Sequence, residues 1–198
     1  MTEWRFCGRF NSWTQAPDPD FGWVDEVEAH RRYATFGEPL TIVPPFDEGA
    51  ECYPFYVVVG TGPDPEFTML RQRAPGVTDL TVWWLRAAAE PGLFCWSVEV
   101  FRYAEGVERH GDIRDRKVPP DWGWSFMNRE DGSGALSQAR PSLPPPVNKP
   151  RPLLPDERRS GVPVAGLYRA EPAWGEWESL LVPPPGSWDP ERVPAGLV

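Results

Sequence analysis

The stretch Leu93-Phe94-Cys95-Trp96-Ser97-Val98-Glu99-Val100-Phe101-Arg102-Tyr103 decides the fold class of this chain. Large apolar residues recur there at every second position, and one predicted face carries Phe94, Trp96, Val98 and Val100. Successive side chains of a strand point to opposite faces, so this period predicts a β-strand with one face on a core. Ala104-Glu105-Gly106 then predicts a turn into a second strand at 107–110, which together form a hairpin.

Other strand-like segments precede this one. They are rich in β-branched and aromatic residues, and Pro or Gly separates them. They lie at 40–43, 53–59, 67–73 and 80–86, and Trp4, Phe6 and Phe10 alternate before them. Short strands at this spacing predict a mainly antiparallel β fold, either a sandwich or a strongly curved sheet.

One short helix is predicted over residues 21–36, with a strand as the alternative. Its first half is acidic and its second half basic, which complements the helix dipole. Val24, Val27 and Arg31 fall on one stripe, and Gly37 is expected to end the helix. His30 is expected at the surface of this helix.

Proline divides the chain unequally. Residues 1–117 contain ten Pro and residues 118–198 contain sixteen. We therefore expect a mainly-β core domain at 1–117 and an extended Pro- and Trp-rich C-terminal arm at 118–198 that packs on the core or on a partner. The run 141–155 is expected to form a polyproline II strut, with a PxxP-type ligand as the alternative.

Charge and composition exclude several classes of function. The net charge of −9 disfavours binding to nucleic acid and to anionic membranes. No apolar run reaches the roughly 20 residues of a membrane helix, and no signal peptide is recognisable. Cys7, Cys52 and Cys95 lack metal or disulfide spacing, so free thiols in a reducing cytoplasm are expected.

Few residues suggest catalysis. Gly60-Thr61-Gly62 is followed by Pro63 and Pro65, so a turn is expected rather than a nucleotide-binding loop. His110 and Asp112 could form a general base pair or hold a cation, but neighbouring arginines favour a self-neutralised loop. No catalytic residue, metal ligand or cofactor is therefore assigned.

Aromatic clusters are the better candidates for a site. The predicted binding residues are Trp122, Trp124, Phe126, Trp174, Trp177 and Trp188. Such rings anchor protein partners, stack on sugars, or simply fill a core, and all three roles stay open at this point.

Together these features predict a non-enzymatic protein–protein interaction or assembly component, for example a structural protein of a phage or other multisubunit particle assembled in the cytoplasm. Its partner would be another protein or a second copy of itself. One alternative is an acidic inhibitory or immunity-type protein that masks a basic partner. A second alternative is a carbohydrate-binding or carbohydrate-cleaving domain, which a concave groove lined by Trp and two carboxylates would favour.

Overall fold

One large antiparallel sheet dominates the computed structural model, which describes residues 3–62, 66–86, 92–102, 122–130, 134–139, 151–152 and 167–184. The strands are β1 (Arg5–Cys7), β2 (Phe10–Asn11), β3 (Ala16–Pro17), β4 (Trp23–Val24), β5 (Leu40–Val43), β6 (Phe55–Val59), β7 (Glu66–Ala74), β8 (Val77–Arg86), β9 (Leu93–Arg102), β10 (Trp122–Asn128), β11 (Gly134–Ala139), β12 (Arg151–Pro152) and β13 (Tyr168–Arg169). The order in the sheet is β12-β11-β10-β9-β8-β7-β6-β5-β1-β4, with β13 also paired to β9, while β2 and β3 form a separate ribbon.

This topology confirms the mainly antiparallel β fold. Consecutive strands from β5 to β12 are neighbours, so most of the sheet is a meander. The described strands form one large sheet and a two-stranded ribbon rather than two packed sheets of similar size. Strand β4 is the last strand at one end of the sheet.

One face of the sheet forms the main core. Matching positions on neighbouring strands carry apolar side chains, as in the row Ile42, Val57, Met69, Val82 and Val98. All five are fully buried. Cross-strand contacts of this kind are the main source of stability in a sheet.

A β-bulge changes which residues of β9 reach that core. Trp83 lies opposite Ser97, but Trp84 lies opposite Cys95, so Trp96 is the extra residue. An extra residue reverses the alternation on one side of the bulge. Leu93 and Cys95 therefore join Val98 and Val100 in the core cluster. The prediction that Phe94, Trp96, Val98 and Val100 share one face is wrong.

The helix α1 (Glu26–Thr35) is confirmed but shorter than predicted. Asp25 begins it as N-cap, because its carboxylate accepts the Glu28 backbone N–H, and the preceding residues form β4. Phe36, at φ 48°, ends it by donating its N–H to the Arg32 carbonyl, one residue before the predicted glycine. The predicted stripe is also wrong, since Val27 is 81% exposed.

The core-facing side of α1 follows a different stripe. Ala29 is fully buried, and Tyr33 packs against the same core four residues later. Residues four apart lie on one helix face, so this pair directs α1 onto the sheet.

Residues 167–184, here called the C-terminal strap, cover the core beside α1. The strap contains β13 and a 3-10 helix (Trp177–Leu181), whose Trp177 and Leu180 are fully buried. Trp84 Nε1 donates to the Leu180 carbonyl at 3.2 Å, which ties the strap to the centre of the sheet. This part of the predicted arm packs on its own chain.

Residues from both predicted parts contribute to the sheet, since β10 pairs with β9. The division at residue 117 itself stays a prediction. The predicted hairpin turn at 104–110, the loop with His110 and Asp112, and most of the proline run 141–155 lie outside the described residues.

Candidate binding groove at the sheet edge

A groove of about 650 Å³ lies where the end of the sheet, the start of α1 and the strap meet. Three indoles and three carboxylates line it, together with one guanidinium. These are Trp4, Trp23, Trp174, Glu3, Asp25, Glu26 and Arg5. The groove therefore combines apolar surface with an excess of negative charge.

The groove exists because β4 is too short to cover its neighbour. Strand β4 pairs with β1 only at Phe6–Val24 and Cys7–Trp23. Arg5 is paired with Val43 of β5, but no residue of β4 lies opposite it, because the chain enters α1 at Asp25. Within the described residues, the edge of the sheet beside Arg5 thus opens into the groove.

Trp174 forms one wall and is held by residues of β1 and α1. Its ring stacks on Phe6 and on His30, with ring centroids 5.3 and 3.6 Å away and interplanar angles of 25° and 20°. Its Nε1 donates to Glu26 Oε1 at 2.8 Å. The strap and α1 are therefore joined at the groove by one rigid side chain.

Trp23 forms the opposite side and is 38% exposed. The Arg5 guanidinium carbon lies 3.7 Å from the centroid of the Trp23 ring, which is cation–π geometry. Arg5 also donates to the Tyr53 hydroxyl at 3.2 Å. The groove already contains one stacked pair of guanidinium and indole.

The charges of the groove are incompletely paired. Glu3 and Asp25 form no ion pair with any described residue, and the Asp25 carboxylate accepts the N–H of Glu28 at 2.8 Å. Glu26 Oε1 accepts from Trp174 and lies 3.9 Å from His30 Nε2. Among the described residues, Arg5 is the one basic residue in the lining. A ligand with positive charge and apolar groups would complement this surface.

The predicted site residues are distributed over several places. Trp174 lines the groove, whereas Trp177 is fully buried behind it, 5.5 Å from Trp174 between ring centroids. Phe126 is 9% exposed and lies opposite Val98 in the sheet. Trp122 and Trp124 lie on the same strand, β10, and Trp188 is outside the described residues. A binding role for these residues stays a prediction.

Sequence reasoning missed most of the groove. The sequence predicts Trp4 only as part of a strand and Trp23 as part of the helix. Glu3, Asp25 and Glu26 belong to no recognisable binding motif. The available signal is the position of Trp23 beside the helix cap Asp25, but the strand pairing that brings Trp4 and Trp23 to the same groove is not visible in local sequence.

Other chemical groups are separate from the groove. The three cysteines carry free thiols. Burial, with help from Asp18, raises the pKa of the Cys7 thiol to about 12. In the described part of the chain, no three His, Cys, Asp or Glu side chains converge as they would at a metal centre. No helix in that part has the length and apolar character needed to cross a bilayer.

Comparisons with known proteins gave no relative from which a function could be transferred. No family model, curated protein or solved structure matches this chain. The geometry of the groove is therefore the basis for assigning a function to this chain.

Proposed function

We propose that this protein is a non-enzymatic protein–protein interaction component that binds an extended segment of a partner in the groove between β1, β4 and α1. The observation that carries the proposal is the open sheet edge beside Arg5, flanked by Trp4, Trp23 and Trp174. Sheet edges accept extended segments through main-chain hydrogen bonds, and Trp is enriched among residues that dominate binding energy.

This activity suits an assembly component, for example a subunit of a phage or other multisubunit particle. We propose the cytoplasm as its place of action, because a reducing compartment would keep the thiols of Cys7, Cys52 and Cys95 free. The strap supports the proposal indirectly, since it fixes Trp174 in place before any partner arrives. Pre-organised side chains lose less entropy on binding.

Carbohydrate binding is the second candidate, and the groove supplies the tryptophans and carboxylates that it requires. A sugar ring needs a free indole face to stack on. Phe6 and His30 already stack on Trp174, and Arg5 already stacks on Trp23, so less indole face is left for a sugar. A protein segment can also use the open sheet edge beside Arg5, which favours it over a sugar.

Recovery of a partner from the native cell, followed by site-specific variants, tests the proposal. Trp23→Ala removes a groove indole, and Phe46→Ala is a matched control because both residues are 38% exposed and Phe46 lies outside the groove. We expect the purified partner to bind Trp23→Ala at least about tenfold more weakly than the wild type and to bind Phe46→Ala normally.

Equal binding of the partner by wild type and Trp23→Ala would overturn the groove as the binding site. A panel of neutral and acidic oligosaccharides, titrated by calorimetry, tests the second candidate. Sugar binding that Trp23→Ala abolishes would replace the protein partner with a carbohydrate ligand.

A further inference from the structure

We infer that the partner segment in the groove is basic and is held through arginine side chains, by stacking on exposed indole surface and by ion pairs with Glu3 and Glu26. This inference rests on the proposed function and specifies the chemistry of the partner.

The charge of the groove complements a basic segment. Of the described residues, three carboxylates and one guanidinium line the groove, and the whole chain carries a net charge of −9. Glu3 is exposed and forms no ion pair within the described residues. Charges left unpaired at a recess favour a partner of opposite sign and speed its approach.

Glu26 has one free carboxylate oxygen. Its Oε1 accepts the Trp174 N–H at 2.8 Å and lies 3.9 Å from His30 Nε2, and no described residue bonds to Oε2. The Glu26 side chain is 65% exposed. A carboxylate with one oxygen fixed and the other free is oriented to receive a guanidinium N–H.

Arginine also suits this groove because the chain's own Arg5 already stacks on one of its indoles. Arg5 stacks on Trp23 at 3.7 Å while its guanidinium also donates to Tyr53. The planar guanidinium stacks on an indole and still presents its edge to hydrogen-bond acceptors, which a lysine ammonium cannot do. The Trp23 surface that remains exposed, together with Trp4, therefore favours arginine over lysine.

Three fluorescent peptides test the inference by anisotropy with the full chain. Their sequence is Gly-Ser-Arg-Val-Arg-Val-Arg-Ser-Gly, with all arginines replaced by lysine in the second and by citrulline in the third. Citrulline keeps the shape of arginine without its charge. We expect affinity to fall from arginine to lysine to citrulline, with at least about tenfold between the first and the last. Affinity should also fall as salt rises from about 0.05 M to about 0.5 M.

Variants show whether the peptide binds in the groove. The double variant Glu3→Gln, Glu26→Gln keeps an acceptor for Trp174 and should weaken the arginine peptide at least about tenfold. Glu48→Gln is the control, because it removes a carboxylate of an exposed residue outside the groove and should leave binding unchanged. If Glu48→Gln weakened the binding of the arginine peptide equally, the peptide would be attracted by the overall net charge of the chain and not by the groove. That result would overturn the inference.

The inference and the proposed function can fail separately. If the native partner requires Trp23 but is not displaced by the arginine peptide, and the double variant binds it normally, the function stands and the basic segment is excluded. If the arginine and citrulline peptides bind equally, the inference is overturned as well. If the partner binds Trp23→Ala as tightly as the wild type, the proposed function fails, whatever affinities the peptides have.

Discussion

Tyr33 shows how much of this structure depends on single aromatic side chains. Its ring contacts Trp174 and Trp177, with centroids 5.5 and 5.3 Å away, and its hydroxyl donates to Glu171. Burial and the Glu171 carboxylate raise the pKa of its phenol. The Glu171 carboxylate also forms an ion pair with the Arg86 guanidinium at 2.7 Å. Tyr33 on α1 is therefore linked through Glu171 of the strap to Arg86 of β8.

At the residue scale, the buried thiol of Cys7 predicts a loss of stability in alkali. Its pKa is raised from 9.0 to about 12, so the unfolded chain loses this proton first as the pH rises. The contribution of the protonated Cys7 thiol to the free energy of unfolding is complete below pH 9.0. Above that pH it decreases by up to about 1.4 kcal/mol per pH unit. Urea unfolding between about pH 8 and about pH 9.5 measures this slope before the buried Tyr33 and Tyr56, whose pKa values are also raised, contribute strongly.

The variant Cys7→Ala should flatten that slope, whatever its effect on stability at neutral pH. Cys52→Ala is the comparison: burial also raises the pKa of the partly buried Cys52, but less than that of Cys7, so this variant should flatten the slope less. A slope that is equally steep in the Cys7→Ala variant would show that other groups cause the alkaline loss.

At the scale of elements, the start of α1 depends on Asp25. Its carboxylate accepts the Glu28 N–H at 2.8 Å, and loss of such a cap costs about 1 kcal/mol. We expect Asp25→Ala to lower the free energy of unfolding by that amount in urea titrations. Val27→Ala on the same helix should change it little, since Val27 is 81% exposed. Equal effects of the two substitutions would contradict a capping role.

The turn between β7 and β8 depends on Gly76. Its φ of 72° is unfavourable for other residues, and a Cβ there would overlap the Trp13 indole. Gly22 also has a positive φ, 54°, but open space around its Cα. We expect Gly22→Ala to cost about 1–2 kcal/mol from backbone strain and Gly76→Ala to cost clearly more. Thermal unfolding of both variants measures the difference, and equal costs would show that Trp13 simply moves aside.

The sequence predicts elements better than it predicts their partners. Strand β5 matches its predicted residues 40–43, and β9 covers most of its predicted stretch. Both are dense in β-branched or aromatic residues, which is a local signal. The bulge at Trp96 and the two-residue strand β4 depend on pairing with distant segments, so local periodicity missed both.

The candidate site also depends on contacts between distant segments, which local sequence does not predict. Among the predicted aromatics, the structure places Trp174 at the groove, and Trp174 reaches it only because the strap returns to α1. Trp4 and Trp23 line the same groove because β1 pairs with β4. A count of tryptophans indicates aromatic contacts, but only the three-dimensional arrangement separates a core ring such as Trp177 from a groove ring such as Trp23.

At the scale of the whole molecule, the sheet has one deeply buried face, and two elements from distant parts of the sequence cover it. Helix α1 contributes Ala29 and Tyr33, and the strap contributes Trp177 and Leu180. A large sheet needs such a second layer, because its apolar face would otherwise be exposed to water. The strap therefore belongs to the folding unit rather than to a separable tail.

This arrangement predicts that a small change in the strap destabilises the whole sheet. Leu180 is fully buried, so Leu180→Ala should lower the free energy of unfolding by about 2–5 kcal/mol through lost contacts and a new cavity. Val182→Ala is the control, because Val182 is 65% exposed and this substitution should cost less than about 0.5 kcal/mol.

Urea unfolding should be followed by tryptophan fluorescence, which reports the strap and core rings, and by far-UV circular dichroism, which reports the sheet. Because the strap completes the core, both signals should shift together to lower urea in Leu180→Ala. A fluorescence transition that moves alone, while the sheet unfolds at its original midpoint, would mean that the strap is an independent layer and would contradict a single cooperative unit.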